Sequence, residues 1–245
     1  MPVDAARLHV VEHPGRAPAT VWLHHGVGST LAWAAFLPGA AGGRRAIVYD
    51  RRGFGRSSHG RRFSPRIFEE DAADLRAILT HLGVGSAHLV GHSDGGTVAL
   101  LLAAQNPELV VSVTAVAAHV RGDDVTVRTL REMGPPSGWP APVRSSLVRS
   151  HGDDWSTVAG SWHDLWTSDA FRGWSITDRL GMIACPVMVV HDRHDLLAPP
   201  LHVDLIRERL PAAEVHWAES GTHHPHTVDV AGFSRRLQMF WGRTE

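Results

Sequence analysis

Gly91-His92-Ser93-Asp94-Gly95-Gly96 joins a compact apolar run, Ala87–Gly91, to a second apolar run of helical length, Thr97–Gln105. A chain that changes from strand to helix within so few residues must turn sharply. Side chains at the flanking positions would collide with neighbouring backbone, which is why glycine is used there. The turn holds its central residue, Ser93, in a strained conformation and presents the hydroxyl at the N-terminus of the following helix. There the helix dipole and the free N–H groups favour a developing oxyanion. G-x-S-x-G occurs by chance as a bare pattern, but between an apolar strand and an apolar helix it points to a nucleophilic serine. Asp94 has a structural explanation, since a carboxylate in the first turn gains about 0.3–1 kcal/mol from the dipole. It would also repel anionic substrates.

The same alternation runs along most of the chain. Leu8–Glu12 and Thr20–His24 read as short strands separated by the turn His13-Pro14-Gly15, and Arg45–Tyr49 reads as a third. Between the last two lie the Gly26-Val27-Gly28-Ser29 loop and a short helical piece over Leu31–Leu37. Ile67, Phe68, Ala72, Leu75, Ile78, Leu79 and Leu82 follow helical spacing within Pro65–Leu82, and Gly83 stops that helix. Leu109–Ala117 is a β-branched strand; Pro186–His191 and Glu214–Trp217 are strands flanking the helix Leu201–Leu210; Val230–Trp241 is a terminal amphipathic helix. Strands and helices in this order predict an α/β fold, a mainly parallel central sheet with helices on both faces. Residues 119–180 break the pattern, with no clear strand and with Trp139, Trp155, Trp162, Trp166 and Trp174 among Pro and Gly. They read as a helical cap inserted into a core of residues 1–118 and 181–245. The tryptophans give a small insertion area to bury, and one or two are candidates for lining a pocket.

Composition narrows the function. Basic and acidic residues number 24 and 25, a balance that draws the chain to neither nucleic acid nor an anionic membrane. No apolar run approaches the ~20 residues that span a bilayer, and Met1-Pro2-Val3-Asp4-Ala5 lacks the pattern of a secretory signal. The cytoplasm is therefore the expected location. The single cysteine, Cys185, precedes Pro186 at the start of an apolar run and reads as packing rather than as a nucleophile. Histidines number 18, yet His223, His224 and His226 have no Cys or H-E-x-x-H partner, so no metal site is expected. There is no Walker A loop and no G-x-G-x-x-G after the first strand. No cofactor is expected, the partner is a small-molecule substrate, and oligomeric state is not readable.

A serine alone is a weak nucleophile and needs a base oriented by a third group. Two later loops offer them: His191-Asp192-Arg193-His194-Asp195 ends one strand, and Gly221-Thr222-His223-His224-Pro225-His226 follows the next. In a parallel sheet such loops emerge at the same carboxyl edge as the serine turn, where ligands bind.

Five segments in order now carry a resemblance: the His25-Gly26 loop, Asp50-Arg51-Arg52-Gly53-Phe54-Gly55-Arg56-Ser57, the Ser93 turn, the Asp loop and the His loop before a final helix. Over nearly its whole length the chain resembles the α/β-hydrolase superfamily. The resemblance implies the α/β-hydrolase fold and a catalytic set of Ser93, Asp195 and His223. Asp192 is the second candidate acid because it lies nearer the strand end; Asp123 or Asp124 would be a variant after the preceding strand. His223 is the nearest match to the family's Gly-His, although Thr222 intervenes and His224 and His226 crowd the loop. The oxyanion hole is expected to use the backbone N–H groups of Asp94 and, by resemblance, Val27. Which of His24 and His25 packs beneath that loop is open. His25, His92, His119, Trp162 and Trp166 are candidate substrate-binding residues, and the Asp50–Ser57 turn is mostly structural.

These assignments imply acyl transfer on a small-molecule carboxylic ester through an acyl-enzyme. His223 must be neutral to act as base, and an unperturbed His titrates near ~6.5, so the rate should fall on the acid side. The fold hosts many chemistries. Carbon–carbon bond hydrolysis, or a lyase or cyclisation step, could use the same groups, and a ligand-binding protein that keeps the fold without turnover is the rival from another class. A haloalkane dehalogenase would carry Asp in place of Ser93.

Overall fold

The computed structural model describes residues 1–3, 6–37 and 39–244. A short antiparallel ladder pairs β1 (Pro2–Val3) with β2 (Ala6–Arg7). Seven further strands form one sheet: β3 (Val10–His13), β4 (Arg16–Leu23), β5 (Arg44–Tyr49), β6 (Ala87–His92), β7 (Val110–Val116), β8 (Val187–Asp192) and β9 (Glu214–Ala218). Their order is β3-β5-β4-β6-β7-β8-β9. Only β3 runs antiparallel to its neighbour; all other pairs are parallel. Parallel strands covered on both faces need continuous apolar runs, and β6 and β8 are buried at every position.

Side-chain alternation sorts these strands between two cores. Val21, Leu23, Ile47, Tyr49 and Leu89 face the cluster that includes α1 (Ile67–His81) and α2 (Asp94–Gln105). Trp22, Ala46, Val48, Val90, Met188 and Val190 face the opposite cluster, where Phe233, Leu237, Phe240 and Trp241 of the C-terminal helix pack.

Between β7 and β8 come α3 (Asp124–Met133), α4 (Ala141–His151), α5 (Trp155–Thr167), α6 (Asp169–Arg172) and α7 (Thr177–Leu180). Backbone bonds from Gly122 N–H to Trp174 O and from Ile176 N–H to Val120 O, each 2.8 Å, tie the two ends of this insertion together. Trp174 stacks on Phe171 at 4.9 Å and lies 4.8 Å from Phe68 of α1, so one insertion tryptophan anchors it to the sheet's helical layer. The chain then closes with α8 (Leu201–Arg209), α9 (Pro225–Val228) and α10 (Val230–Trp241).

Two boundaries differ from the sequence expectation for a physical reason. Leu8 exchanges both backbone hydrogen bonds with Met1, so the run expected as one strand from Leu8 is divided between the ladder and the sheet. The piece expected as helical over Leu31–Leu37 is a 3-10 turn at Thr30–Trp33, started by the Ser29 hydroxyl accepting from Leu31 N–H. Among the described residues, no helix is long and apolar enough to cross a membrane.

Candidate active site

The turn at the end of β6 is as tight as its glycines require. Ser93 has φ 55° and ψ −121°, a left-handed conformation that few side chains adopt. A Cβ at position 91 would lie 2.2 Å from Gly95 O, and one at position 95 would lie 2.4 Å from Leu23 O. Glycine there lets α2 start directly against β4 and β6.

From the loop after β9, His223 Nε2 lies 2.9 Å from Ser93 Oγ, and its Nδ1 lies 2.7 Å from Asp195 Oδ2. A carboxylate opposite Nδ1 selects the tautomer with the proton on Nδ1. That leaves the Nε2 lone pair to accept from the serine hydroxyl. Asp195 Oδ1 accepts from Leu197 and Ala198 N–H at 2.8 and 3.0 Å. Burial pushes the Asp195 carboxyl up, but the bond and the charge attraction to His223, with the Ala198 N–H, bring it down to about 2.

The other candidate acids go elsewhere. Asp192 Oδ2 accepts from Ser220 N–H and Oγ and from Gly221 N–H, at 2.7, 2.7 and 3.1 Å, and so shapes the start of the His loop. Asp123 caps α3 and pairs with His202 Nε2 at 3.2 Å, while Asp124 lies exposed on α3, 3.7 Å from Arg172. His226 is buried against Trp33 and Phe36. Among the described residues, no group of three or more His, Cys, Asp or Glu is placed to hold a metal ion.

A cavity of about 550 Å³ opens above Ser93. His25, Val27, His119, Trp162, Trp166, His223 and His224 line it together with Trp139, Leu130 and Leu147. His92 does not, and its expected role in substrate binding is corrected. It is buried behind His223, where its Nε2–H donates to the His223 carbonyl at 2.7 Å and holds the His loop against the Ser93 turn. His119 lines the wall while its Nε2–H donates to Leu197 O at 2.6 Å, which ties the Asp195 loop to the insertion.

His24 is the residue beneath the loop that carries Gly26 and Val27. It is fully buried, its Nε2 accepts from Arg51 N–H at 3.0 Å, and its Nδ1–H donates to His25 O at 2.7 Å. His151 of α4 holds the loop from the other side. Its Nδ1 accepts from Gly55 N–H, and its Nε2–H donates to Val27 O, both at 2.9 Å. The backbone N–H groups of Val27 and Asp94 make no hydrogen bond among the described residues. The Asp94 carboxylate is fully buried, 2.9 Å from Trp162 Nε1 and 3.5 Å from Arg51, so it does not face the cavity as a free charge. Burial pushes its carboxyl up from the usual carboxylate range, and Arg51 opposes that shift.

Sequence reasoning missed Arg51, His24's supporting role and His151. The first two lie inside segments it had noted, but the partners that give them meaning come from elsewhere in the fold: Asp71 on α1 and the His25 carbonyl for Arg51, and the Arg51 N–H for His24.

The sequence model of the family described as alpha/beta hydrolase fold matches residues 19–141. This chain is an α/β-hydrolase. RutD of Azorhizobium caulinodans, whose name carries a provisional assignment as a carbamate hydrolase, is 28% identical to the hydrolase over 90% of this chain and 94% of its own length. The mouse (Mus musculus) serine hydrolase BPHL is 26% identical over 79% of this chain and 68% of its own. Among solved structures, the enol-lactonase from Burkholderia xenovorans LB400 superposes with a TM-score of 0.74 at 19% identity, covering 98% of each chain, a likeness of fold. With hydrolase-named relatives spanning its length, the chain is an enzyme of the hydrolase class.

Proposed function

We propose that this hydrolase cleaves small, uncharged carboxylic esters through an acyl-enzyme on Ser93. The observation that carries the reading is the hydrogen-bonded series Ser93 Oγ, His223 and Asp195, with contacts of 2.9 and 2.7 Å. Ser93 Oγ attacks the ester carbonyl as His223 Nε2 takes its proton, and Asp195 stabilises the imidazolium. The carbonyl oxygen, now an anion, rests on the N–H groups of Asp94 and Val27. His223 then gives its proton to the departing alkoxide, which leaves as the alcohol. A water, deprotonated by His223, attacks the acyl-enzyme; Ser93 recovers its proton and the carboxylic acid departs.

Residues 119–180 act as the cap in this reading, since they supply Leu130, Trp139, Leu147, Trp162 and Trp166 to the cavity. A volume of about 550 Å³ with a mainly apolar wall supports an acyl or alkyl group of several carbons. A carbamate is the second reading, favoured by the name of the RutD relative; the same attack at a carbonyl serves both.

Turnover of p-nitrophenyl esters and carbamates of graded length tests the proposal, with a β-diketone included for carbon–carbon cleavage. Ester hydrolysis that disappears in Ser93→Ala while the fold is retained is the expected result. Retained hydrolysis in that variant rejects the mechanism. Tight binding without turnover would favour a non-catalytic ligand-binding role.

A further inference from the structure

We propose that Arg51 is a positioning residue that aims both oxyanion donors at once; the inference rests on the acyl-transfer reading above. Its guanidinium is fully buried at the meeting point of the two loops that supply those donors. Nη1 donates to Asp71 Oδ2 of α1 at 2.7 Å. Nη2 donates to the carbonyls of His25 and Gly26, at 3.1 and 3.4 Å, and lies 3.5 Å from Asp94 Oδ2.

The Gly26 carbonyl and the Val27 N–H belong to one planar trans peptide, so they point in opposite directions. A cation that holds the oxygen from below the loop therefore turns the N–H away from itself, toward the cavity that Val27 lines. On the other side, Asp94 supplies the second N–H from its own backbone, and Arg51 faces its carboxylate. One side chain thereby restrains two peptide planes that are distant in sequence.

The surrounding contacts fix Arg51 itself. Asp71 is shared with the nearly buried Arg61, and the Arg51 backbone N–H donates to His24. Trp162 of α5 extends the network into the insertion. Its Nε1–H donates to Asp94 Oδ2, and a Cβ at position 26 would lie 2.2 Å from the same nitrogen. Only the absence of a side chain at Gly26 lets this indole sit over both loops. Arginine suits the position because its planar fork reaches several acceptors in fixed directions, whereas the ammonium of lysine is a single point. A purely structural ion pair would need only Asp71. The contacts with the His25 and Gly26 carbonyls and with Asp94 are the additional feature, and they fall on the residues that flank or carry the two donors.

The test compares the native enzyme with Arg51→Lys, Arg51→Gln and the charge-balanced pair Arg51→Gln with Asp94→Asn, which avoids leaving one buried charge unpaired. Each is assayed with p-nitrophenyl butyrate and with a trifluoromethyl ketone, whose adduct with Ser93 carries the tetrahedral oxyanion. Misaiming a donor is expected to lower kcat by about 10²-fold, the size of losing one oxyanion donor, with KM within about threefold. Affinity for the ketone should fall by a similar factor, and the acid limb of the rate profile should stay in place because His223 is untouched. A folded double variant that keeps kcat within threefold overturns the inference. So does a loss of kcat without loss of ketone affinity, which assigns Arg51 to the fold alone, or a displaced acid limb, which places its effect on the base. A native enzyme that turns over no ester fails the acyl-transfer reading first, and the inference falls with it; a native enzyme that works beside variants that also work fails the inference alone.

Discussion

The cavity has two walls built in opposite ways. Its floor is made by loops at the carboxyl ends of β4, β6, β8 and β9, where Ser93, Asp195, His223 and the loop carrying Val27 are held by directional bonds. Asp195 alone accepts from His223, Leu197 and Ala198. Its roof comes from α3, α4, α5 and the turn before α4, where Leu130, Met133, Trp139, Val143, Leu147 and Trp166 offer mostly shape and apolar area. Hydrogen bonds weaken steeply with angle and distance, so a displaced floor residue loses its function. Apolar packing is non-directional and tolerates exchange of similar volumes. In the proposed function the floor therefore sets what reaction is done, and the roof sets on what.

Changing the floor should cost most. Asp195→Asn keeps the shape but favours the wrong His223 tautomer, and kcat is expected to fall about 10⁴-fold, by analogy with the chymotrypsin-type triad from which that figure comes. Steady-state kinetics on a short aryl ester measures it. A fall of less than tenfold would mean that Asp195 is not the group orienting the base.

Acid should attack the floor as well. His25, His92, His224 and His226 form a connected set of ring contacts with centroids 4.6 to 6.1 Å apart, and His92 and His224 also touch the His223 ring. Burial, then repulsion between these rings, holds His25 and His92 well below the usual histidine range, His224 at about 4 and His226 at about 3. Each such group binds fewer protons folded than unfolded, between its folded value and the unfolded ~6.5. Their stabilising effect is complete above ~6.5 and is lost as pH falls below it, by up to ~1.4 kcal/mol per unit for each group. Asp195, depressed to about 2, matters only at lower pH. Tm should therefore drop by roughly 10 °C between pH 7 and pH 5.5, and His226→Phe should make that slope shallower. A Tm constant over this range would show that these rings are not buried together as described.

Changing the roof should cost least, and selectively. Leu147, buried on α4, lines the cavity. Leu147→Ala is expected to lower kcat/KM for a hexanoyl ester roughly tenfold and to leave the acetyl ester nearly unchanged, the scale of a few methylene contacts. Equal loss on both esters would make Leu147 a folding residue and would move the acyl group away from the cap.

The same contrast explains what could be read from the residues alone. Gly91, Gly95 and the strand and helix around Ser93 were legible because the turn forbids side chains there, and the Asp and His loops because loops after adjacent parallel strands share one edge; within those loops, Asp195 and His223 were singled out by the family resemblance. The alternation of strands and helices likewise gave away the sheet. Arg51 was not legible as more than a turn residue: its meaning comes from Asp71, which is 20 residues further along on α1, and from carbonyls that carry no sequence signature. His24 and His25 could not be told apart because which ring goes beneath the loop is decided by hydrogen bonds to Arg51 N–H and His25 O. His92 looked like a site residue by position, yet the tight turn directs its ring behind His223. The roof stayed obscure because its tryptophans divide between anchoring, as Trp174 does on Phe68, and lining, as Trp139, Trp162 and Trp166 do. Ring area alone does not separate the two.

Trapping the covalent intermediate tests the central claim most directly. The protein is mixed with a slowly deacylated aryl ester, quenched in acid within the first turnover, digested and weighed by mass spectrometry. The account predicts one equivalent of acyl group on the peptide bearing Ser93, released again on longer incubation. Turnover with no acylated Ser93, or an adduct on another residue, would contradict it.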